Sequence, residues 1–354
     1  MLYIDASRYN NTAKRTGVEN YSFFLINELV KQNPEDITLI APKKIPLDVN
    51  QITIPFPRLW TQIRLSWEVF RNKKIDQLFV PSHVLPLIHP KKSTITIHDV
   101  AFKRFPKSYG RLSRWYLNWG TKYAVKHAKN IIVPSETTKR DLIEFYNAKE
   151  DKITVIPLGY SSIYKDSQHG SGYKVLDKYH LQPRHYFLFI GRIESKKNVG
   201  VLVKAFSEIQ KKHPYIKLVL AGKEGVGSEE ILSKIKNKNI ILTGYISDVE
   251  KQVLLKNCLS FVFPSLFEGF GIPLLEAMDA GVPIIASEIP TSYDIAKNNA
   301  LFFKLDDTNA LAHYLKDLVE KKELWSHLIQ NHEETLKNYT WERCAKHVHN
   351  LLRS

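Results

Sequence analysis

Ser265-Leu266-Phe267-Glu268-Gly269-Phe270-Gly271-Ile272-Pro273-Leu274-Leu275-Glu276-Ala277 decides how this chain is read. Two glutamates stand eight positions apart across a Gly-Phe-Gly turn that runs into an apolar helix-forming segment. Before it, Cys258-Leu259-Ser260-Phe261-Val262-Phe263 has the character of a strand buried on both faces. Strand, glycine turn and helix start, in that order, aim backbone N–H groups and the positive helix end at an anion. Glu268 precedes the turn and Glu276 follows it by about one helical turn, so both carboxylates can address one ligand. A phosphate centre with hydroxyl-bearing arms suits that cradle, and a sugar nucleotide is such a ligand.

Outward from this segment, strand-like and helix-like stretches alternate to both ends, the pattern of doubly wound α/β domains. The first half predicts strands at Leu2–Asp5, Ile37–Ile40, Gln77–Val80, Thr94–Ile97, Asn130–Val133 and Lys152–Ile156, with a helix over Gly17–Lys31. That helix carries Val18, Tyr21, Phe24, Leu25 and Leu29 on one face. A polar, turn-rich stretch from Gly159 to Gly172 reads as the linker. The second half predicts strands at Tyr186–Ile190, Lys217–Ala221, Ile240–Thr243, Leu259–Phe263 and Pro283–Ala286. Helices fit at Val199–Lys212, Glu229–Lys236, Asp248–Lys256 and Ile272–Ala280, and Thr340 to Leu351 reads as a capped amphipathic helix. Two Rossmann-like domains follow, over residues 1–165 and 173–339, and their interface is the default place for a ligand.

Glu268 and Glu276 form the E-x7-E pattern of retaining glycosyltransferases of family GT4, which the chain resembles. The flanking Phe263-Pro264-Ser265, Glu268-Gly269-Phe270-Gly271 and Glu276-Ala277-Met278 segments match as well, and the resemblance extends loosely over nearly the whole chain. It implies the GT-B fold: an N-terminal acceptor-side domain and a C-terminal nucleotide-sugar domain facing across a cleft, with the last helix, 340–354, packed back on the first. It also implies transfer of a hexose from a nucleoside diphosphate sugar with retention of configuration. In that reading Glu268 binds hydroxyls of the donor sugar and Glu276 grips the ribose. The Gly269, Phe270, Gly271 and Ile272 turn cradles the phosphates. The context looks most like bacterial mannosyltransferases of surface polysaccharides, lipopolysaccharide included, which favours GDP-mannose. A UDP- or dTDP-sugar such as a rhamnose donor, a soluble-acceptor glycogen- or sucrose-type synthase, and a non-catalytic nucleotide-sugar binding protein are the alternatives.

Gly191-Arg192-Ile193-Glu194-Ser195-Lys196-Lys197-Asn198 leaves the carboxyl end of one predicted strand, where open α/β sheets bind ligands. Arg192 and Lys197 could converge on a diphosphate and stabilise charge on a leaving group, or simply be a solvated basic loop. The family carries the same G-R-x-x-x-x-K-N arrangement, which assigns both cations to the donor diphosphate. Glu194 and Lys196 are left as surface residues. Ala221 to Gly225 and Thr243 to Ile246 end the next strands and could wall a base pocket, with the backbone at Tyr245 and Ile246 on the base edge. His98-Asp99 closes an N-terminal strand. A lone histidine there is commonly structural, but the resemblance places His98 beside the transferred sugar, with Asp99 holding the loop. Gly17, between Thr16 and Val18, matches the family's glycine-containing loop beneath the donor phosphates, though relatives often carry more glycines there.

No metal cluster is spelled by the His and Cys spacing, and Asp306-Asp307 reads as a helix cap rather than a metal motif. Arg192, Lys197 and a helix terminus can replace a metal's charge, so no metal or other cofactor is expected. Two cysteines in no metal spacing, no long apolar run and no leader-like N-terminus place the chain in the cytoplasm.

The net charge of +15 is concentrated. Residues 51–130 carry fifteen Lys/Arg against Glu68, Asp76 and Asp99, and the rest of the chain is nearly balanced. Within that segment, Arg58 to Arg71 sets Trp60, Ile63, Trp67 and Phe70 at helical spacing between arginines. Arg111 to Lys129 likewise carries Leu112, Trp115, Trp119 and Tyr123 among cations. Such stripes suit either a domain core or an anionic membrane surface. Two of them in one basic segment favour peripheral attachment to the inner face of a membrane and a lipid-linked glycan acceptor. No nucleic-acid module accompanies the charge.

Overall fold

The computed structural model of the 354-residue chain describes residues 1–12, 15–56, 59–162, 172–233 and 235–354. The chain divides into two compact units. The first comprises Met1–Gly159 with Tyr339–Ser354, and the second Tyr160–Asn338. Most of the linker read from the sequence, residues 163–171, lies outside the described residues.

The first unit is built on seven strands: β1 (Leu2–Asp5), β2 (Ile37–Ala41), β3 (Asn50–Thr53), β4 (Gln77–Val80), β5 (Lys92–Thr96), β6 (Asn130–Val133) and β7 (Ile153–Val155). All pair in parallel, in the order β3-β2-β1-β4-β5-β6-β7. Parallel strands need crossovers, and most of these are helical: α1 (Gly17–Gln32), α2 (Ser66–Arg71), α3 (Ala101–Arg104), α4 (Arg111–His127) and α5 (Glu136–Tyr146). The order reverses between β1 and β4, so the switch point lies where Asp5 and Val80 end their strands.

The second unit repeats the plan with six strands: β8 (Tyr186–Ile190), β9 (Lys217–Ala221), β10 (Ile240–Gly244), β11 (Ser260–Phe263), β12 (Ile284–Ser287) and β13 (Leu301–Phe303). Their order is β10-β9-β8-β11-β12-β13, again all parallel, with the switch point between β8 and β11. Phe187, Phe189, Leu218, Leu220 and Val262 point from this sheet into one core with α7 (Val199–Gln210). The unit's helices also include α6 (Gly172–Lys178), α8 (Ser228–Ser233), α9 (Asp248–Asn257) and α10 (Ile272–Asp279). Then come α11 (Pro290–Ala296), α12 (Thr308–Glu320), α13 (Lys322–Ile329) and α14 (His332–Leu336). Asp307 caps α12, accepting from the Ala310 N–H at 2.9 Å, which is the role its sequence position predicts.

The last helix, α15 (Trp341–Arg353), packs on α1 within the first unit. Trp341 stacks on Phe24 with ring centroids 5.4 Å apart, and Arg353 pairs with Asp36. Cys258 and Cys344 are both buried and unbridged. Among the described residues no helix is long and apolar enough to cross a membrane.

Two readings need correction. The stripe Trp60, Ile63, Trp67, Phe70 does not share one face. Residues Trp60–Leu65 form a π-helical segment before α2, and its wider i→i+5 turn breaks the 3.6-residue register. Trp60 therefore turns inward and donates its indole N–H to the Ile54 carbonyl at 3.0 Å, while Ile63, Trp67 and Phe70 stay exposed. Arg58, at the start of that stretch, lies outside the described residues. Glu194 is not a surface residue either: it is buried and pairs with Lys196 at 3.3 Å, tightening the loop that carries Arg192 and Lys197.

Candidate active site

Because β8 and β11 are neighbours, the two loops that leave their carboxyl ends run side by side. The Leu266 N–H donates to the Lys196 carbonyl at 2.9 Å, lacing the cation loop to the glutamate loop. At this junction Lys197 Nζ donates to Glu268 Oε1. The same carboxylate oxygen accepts from Ser265 Oγ at 2.7 Å. Ser265 is itself fully buried, and its carbonyl accepts from Ser287 Oγ. Glu268 is thus held from two sides by groups anchored in the sheet, with both cation and carboxylate mostly screened from water.

Gly271 opens α10 with φ +116, a conformation that side chains rarely adopt, and no side chain caps the helix. Pro273 in the first turn starts α10 without needing an N–H partner. Phe270 is buried, so its contribution at the turn is its backbone. Glu276, one turn into α10, does not meet Glu268. Its Oε1 pairs instead with Lys251 Nζ of α9 at 2.7 Å. Burial works against charge on Lys251, yet the Glu276 carboxylate, together with Asp248 and Tyr245, outweighs it and holds the ammonium pKa above its ordinary value.

Arg192 is exposed, and its stem lies over Gly225, where a Cβ would stand 2.6 Å from Arg192 Cδ. The two loops are stitched by Ile193 N–H to the Lys223 carbonyl at 2.9 Å and Gly225 N–H to the Ile193 carbonyl at 2.8 Å. Tyr245 is exposed at the end of β10, with Lys223 Nζ 5.3 Å from its ring centroid, and Ile246 is half-buried just before the Ser247 cap of α9. Lys251 belongs to this constellation and was not singled out from sequence, while Ser265 and Gly225 stood inside quoted stretches without a role of their own. A Gly-x-Gly turn does not announce which serine or lysine will orient the glutamates beside it.

In the first unit, His98 follows β5 at the switch-point end of the sheet. Tyr21 of α1 packs edge-on against its ring, 4.7 Å between centroids, and the Tyr21 hydroxyl shares a hydrogen bond with Thr96 Oγ1 at 3.1 Å. His83 Nε2 accepts from the His98 and Asp99 N–H groups at 3.2 and 3.4 Å, fixing the turn between them. Asp99 Oδ1 accepts from the Ala101 N–H at 2.9 Å and so starts α3. Enclosure, followed by the neighbouring His83, pushes the His98 pKa down to about 3, so the imidazole is neutral across the physiological range. A neutral ring at this place can orient a hydroxyl but has no charge to offer. Gly17 is the first residue of α1, with open space where a Cβ would be. Thr16 and Glu19 form a reciprocal capping box there, which explains both residues as helix-start chemistry.

Two family profiles divide the chain between them: Glycosyltransferase Family 4 over residues 15–162 and Glycosyl transferases group 1 over residues 177–335. The chain is a GT4-type glycosyltransferase. Over 314 residues the enzyme is 27% identical to the O-antigen chain mannosyltransferase B of Escherichia coli, covering 86% of this chain and 79% of that protein. The O-antigen chain mannosyltransferase RfbU of Salmonella typhimurium is 27% identical over 262 residues, 73% of this chain and 68% of its own. Its fold is that of the GT-B glycosyltransferases. The crystal structure of Anabaena HepE with UDP and glucose superposes with a TM-score of 0.72 at 14% identity, over 100% of this chain and 99% of that one.

In this glycosyltransferase Lys251 makes its short charge-assisted bond to Glu276, with Asp248 of its own helix farther off at 3.9 Å. Lys251→Met is expected to raise KM for the donor by about 10- to 100-fold, the worth of one hydrogen bond to a charged group, with kcat little changed. Lys251→Arg should restore most of the loss. A drop in stability without a change in KM would make Lys251 a packing residue only.

Proposed function

We propose that the enzyme transfers a mannosyl residue from GDP-mannose, with retention, to a lipid-linked glycan acceptor in surface-polysaccharide synthesis. The observation that carries the donor reading is the Lys197–Glu268–Ser265 cluster at the switch point of the second unit. Lys197 and Glu268 neutralise each other there, and an arriving sugar diphosphate offers a better partner to each. Lys197 turns to the diphosphate, and Glu268, still held by Ser265, accepts from sugar hydroxyls. Arg192 and the backbone of Gly269 to Ile272 share the charge that builds on the leaving diphosphate. Glu276 takes the ribose, and the backbone at Tyr245 and Ile246 the base edge. Arg192 and Lys197 supply the positive charge, so transfer is expected to continue in the presence of a chelator. Mannose is favoured because the relatives named above are mannosyltransferases.

The acceptor reading rests on the surface of the first unit. Ile63, Trp67, Phe70, Leu87, Ile88, Leu112 and Trp115 are all exposed there, inside the strongly basic segment 51–130. An apolar and cationic surface of this kind suits the anionic inner face of a membrane, where a lipid-linked acceptor would be met.

The test is thermal unfolding with GDP, UDP, dTDP or ADP. A nucleotide at about 100 times its Kd adds about 2.7 kcal/mol to the native state. Stabilisation by GDP alone is the expected result. A shift with UDP or dTDP instead would replace the mannose donor, and no shift with any would remove the proposed cradle.

A further inference from the structure

We propose that the groove between α3 and the first turns of α4 is a binding site for the phosphate of an anionic phospholipid headgroup. The groove has a volume of about 390 Å³. Its lining carries Lys103, Arg111 and Arg114 together with Phe102 and Trp115, and no carboxylate. This is a gap in the acidic residues of the chain: no Asp or Glu occurs between Asp99 and Glu136. The nearby Asp141 and Glu144 are both taken by Arg104, so they do not neutralise the groove. Arg114 Nη1 reaches only the Pro106 carbonyl, at 3.4 Å, and Lys103 Nζ rests 5.1 Å over the Tyr146 ring. Both positions leave most donor capacity of the two side chains uncommitted to anions.

The placement runs against helix stability. Arg111 and Arg114 sit in the first turns of a 17-residue helix whose N-cap, Gly110, offers no side chain, and the first turn has no acidic residue. Cations at a helix N-terminus oppose its dipole. Local rules broken without a compensating contact mark a place kept for another purpose, and a phosphate would satisfy the arginines and the helix end together.

The rim of the groove selects a lipid over a free anion. Leu112 is 85% exposed and Trp115 65% exposed, immediately beside the cations. Trp115 begins a ladder of aromatic rings along α4, with Trp119 6.5 Å away and Tyr123 5.8 Å beyond it. A soluble phosphate gains nothing from that apolar rim, whereas a headgroup brings the acyl boundary into which Leu and Trp insert. The inference rests on the membrane reading above and sharpens it from a surface to a site.

Sedimentation with phosphatidylcholine vesicles, with and without phosphatidylglycerol, separates the possibilities. Two doubly neutralised variants are compared, R111Q/R114Q at the groove and K122Q/K126Q farther along the same helix. A diffuse field treats them alike, at roughly fivefold per charge. A headgroup site makes R111Q/R114Q weaker than K122Q/K126Q by at least about tenfold more, since charge-assisted bonds are lost as well. Its melting temperature should hold or rise, because the helix end is relieved. Equal losses would overturn the site and leave the membrane reading standing; no binding of the unaltered enzyme to phosphatidylglycerol vesicles would overturn both. A second measurement uses Trp115 fluorescence, assigned with Trp115→Phe, against monomeric dihexanoyl phosphatidylglycerol and against inorganic phosphate. Saturation by the lipid alone supports the assignment, and equal saturation by inorganic phosphate overturns it.

Discussion

Lys197→Met is expected to lower kcat about 10²- to 10³-fold, the effect of removing one preorganised donor from developing negative charge. The reason is positional. Lys197 sits on the loop that leaves β8, and the partner it holds in the free enzyme, Glu268, sits on the loop that leaves β11. Both loops end neighbouring strands at the switch point, so neither charge can drift without disturbing the sheet. Glu268→Gln is expected to cost a similar factor, since the amide keeps the shape but loses acceptor strength toward sugar hydroxyls.

Nucleotide binding tells the two roles apart. GDP carries the diphosphate but no transferred sugar, so Lys197→Met should weaken GDP binding while Glu268→Gln leaves it nearly unchanged. The double variant K197M/E268Q should be worse than either single one, because the two groups act on different parts of the bound donor. A Lys197→Met enzyme within about threefold of normal kcat would mean that the pair is only an ion pair of small worth.

Much of this site was legible because its backbone chemistry is written in residue types. Apolar runs marked β8 and β11, glycines marked the turn before α10, and a basic Gly-Arg loop marked the other strand end. What could not be read depended on packing. Lys251 lies on α9 with no motif around it, and only the approach of α9 to α10 brings it to Glu276. His83 belongs to the loop after β4 and reaches the His98 turn across the sheet. Two of the four edge strands, β3 and β13, escaped for a different reason. β3 reads Asn50-Gln51-Ile52-Thr53, largely exposed, and β13 is three residues long, so neither carries the apolar signal of a buried strand. The Trp60 stripe failed because a helical projection assumes a constant turn, and the π-helical segment does not keep one.

Gly222→Ala is expected to destabilise the second unit by about 3–5 kcal/mol, at the top of the range for single substitutions. Gly222 follows β9 with φ +147, and a Cβ there would overlap the Gly191 carbonyl oxygen at the end of β8. Both obstacles are backbone, so no rotamer change relieves them. Relief requires β8 and β9 to part where Gly191 N–H donates to the Ala221 carbonyl at 2.9 Å, while Gly222 N–H is tied on the other side to the Gly244 carbonyl of β10 at 2.8 Å. Those bonds set the direction in which Arg192 leaves the sheet. Denaturant unfolding should therefore show a lower midpoint, and nucleotide binding should fall with it. Gly225→Ala provides the contrast, since its Cβ would press chiefly on the flexible Arg192 stem, and less closely on Glu194 Cβ at 3.0 Å, rather than on backbone. That variant should keep most of its stability and lose nucleotide affinity through Arg192 alone. If Gly222→Ala unfolds at the normal midpoint, the strand ends are not as close as described, and the close packing of the two loops loses its basis.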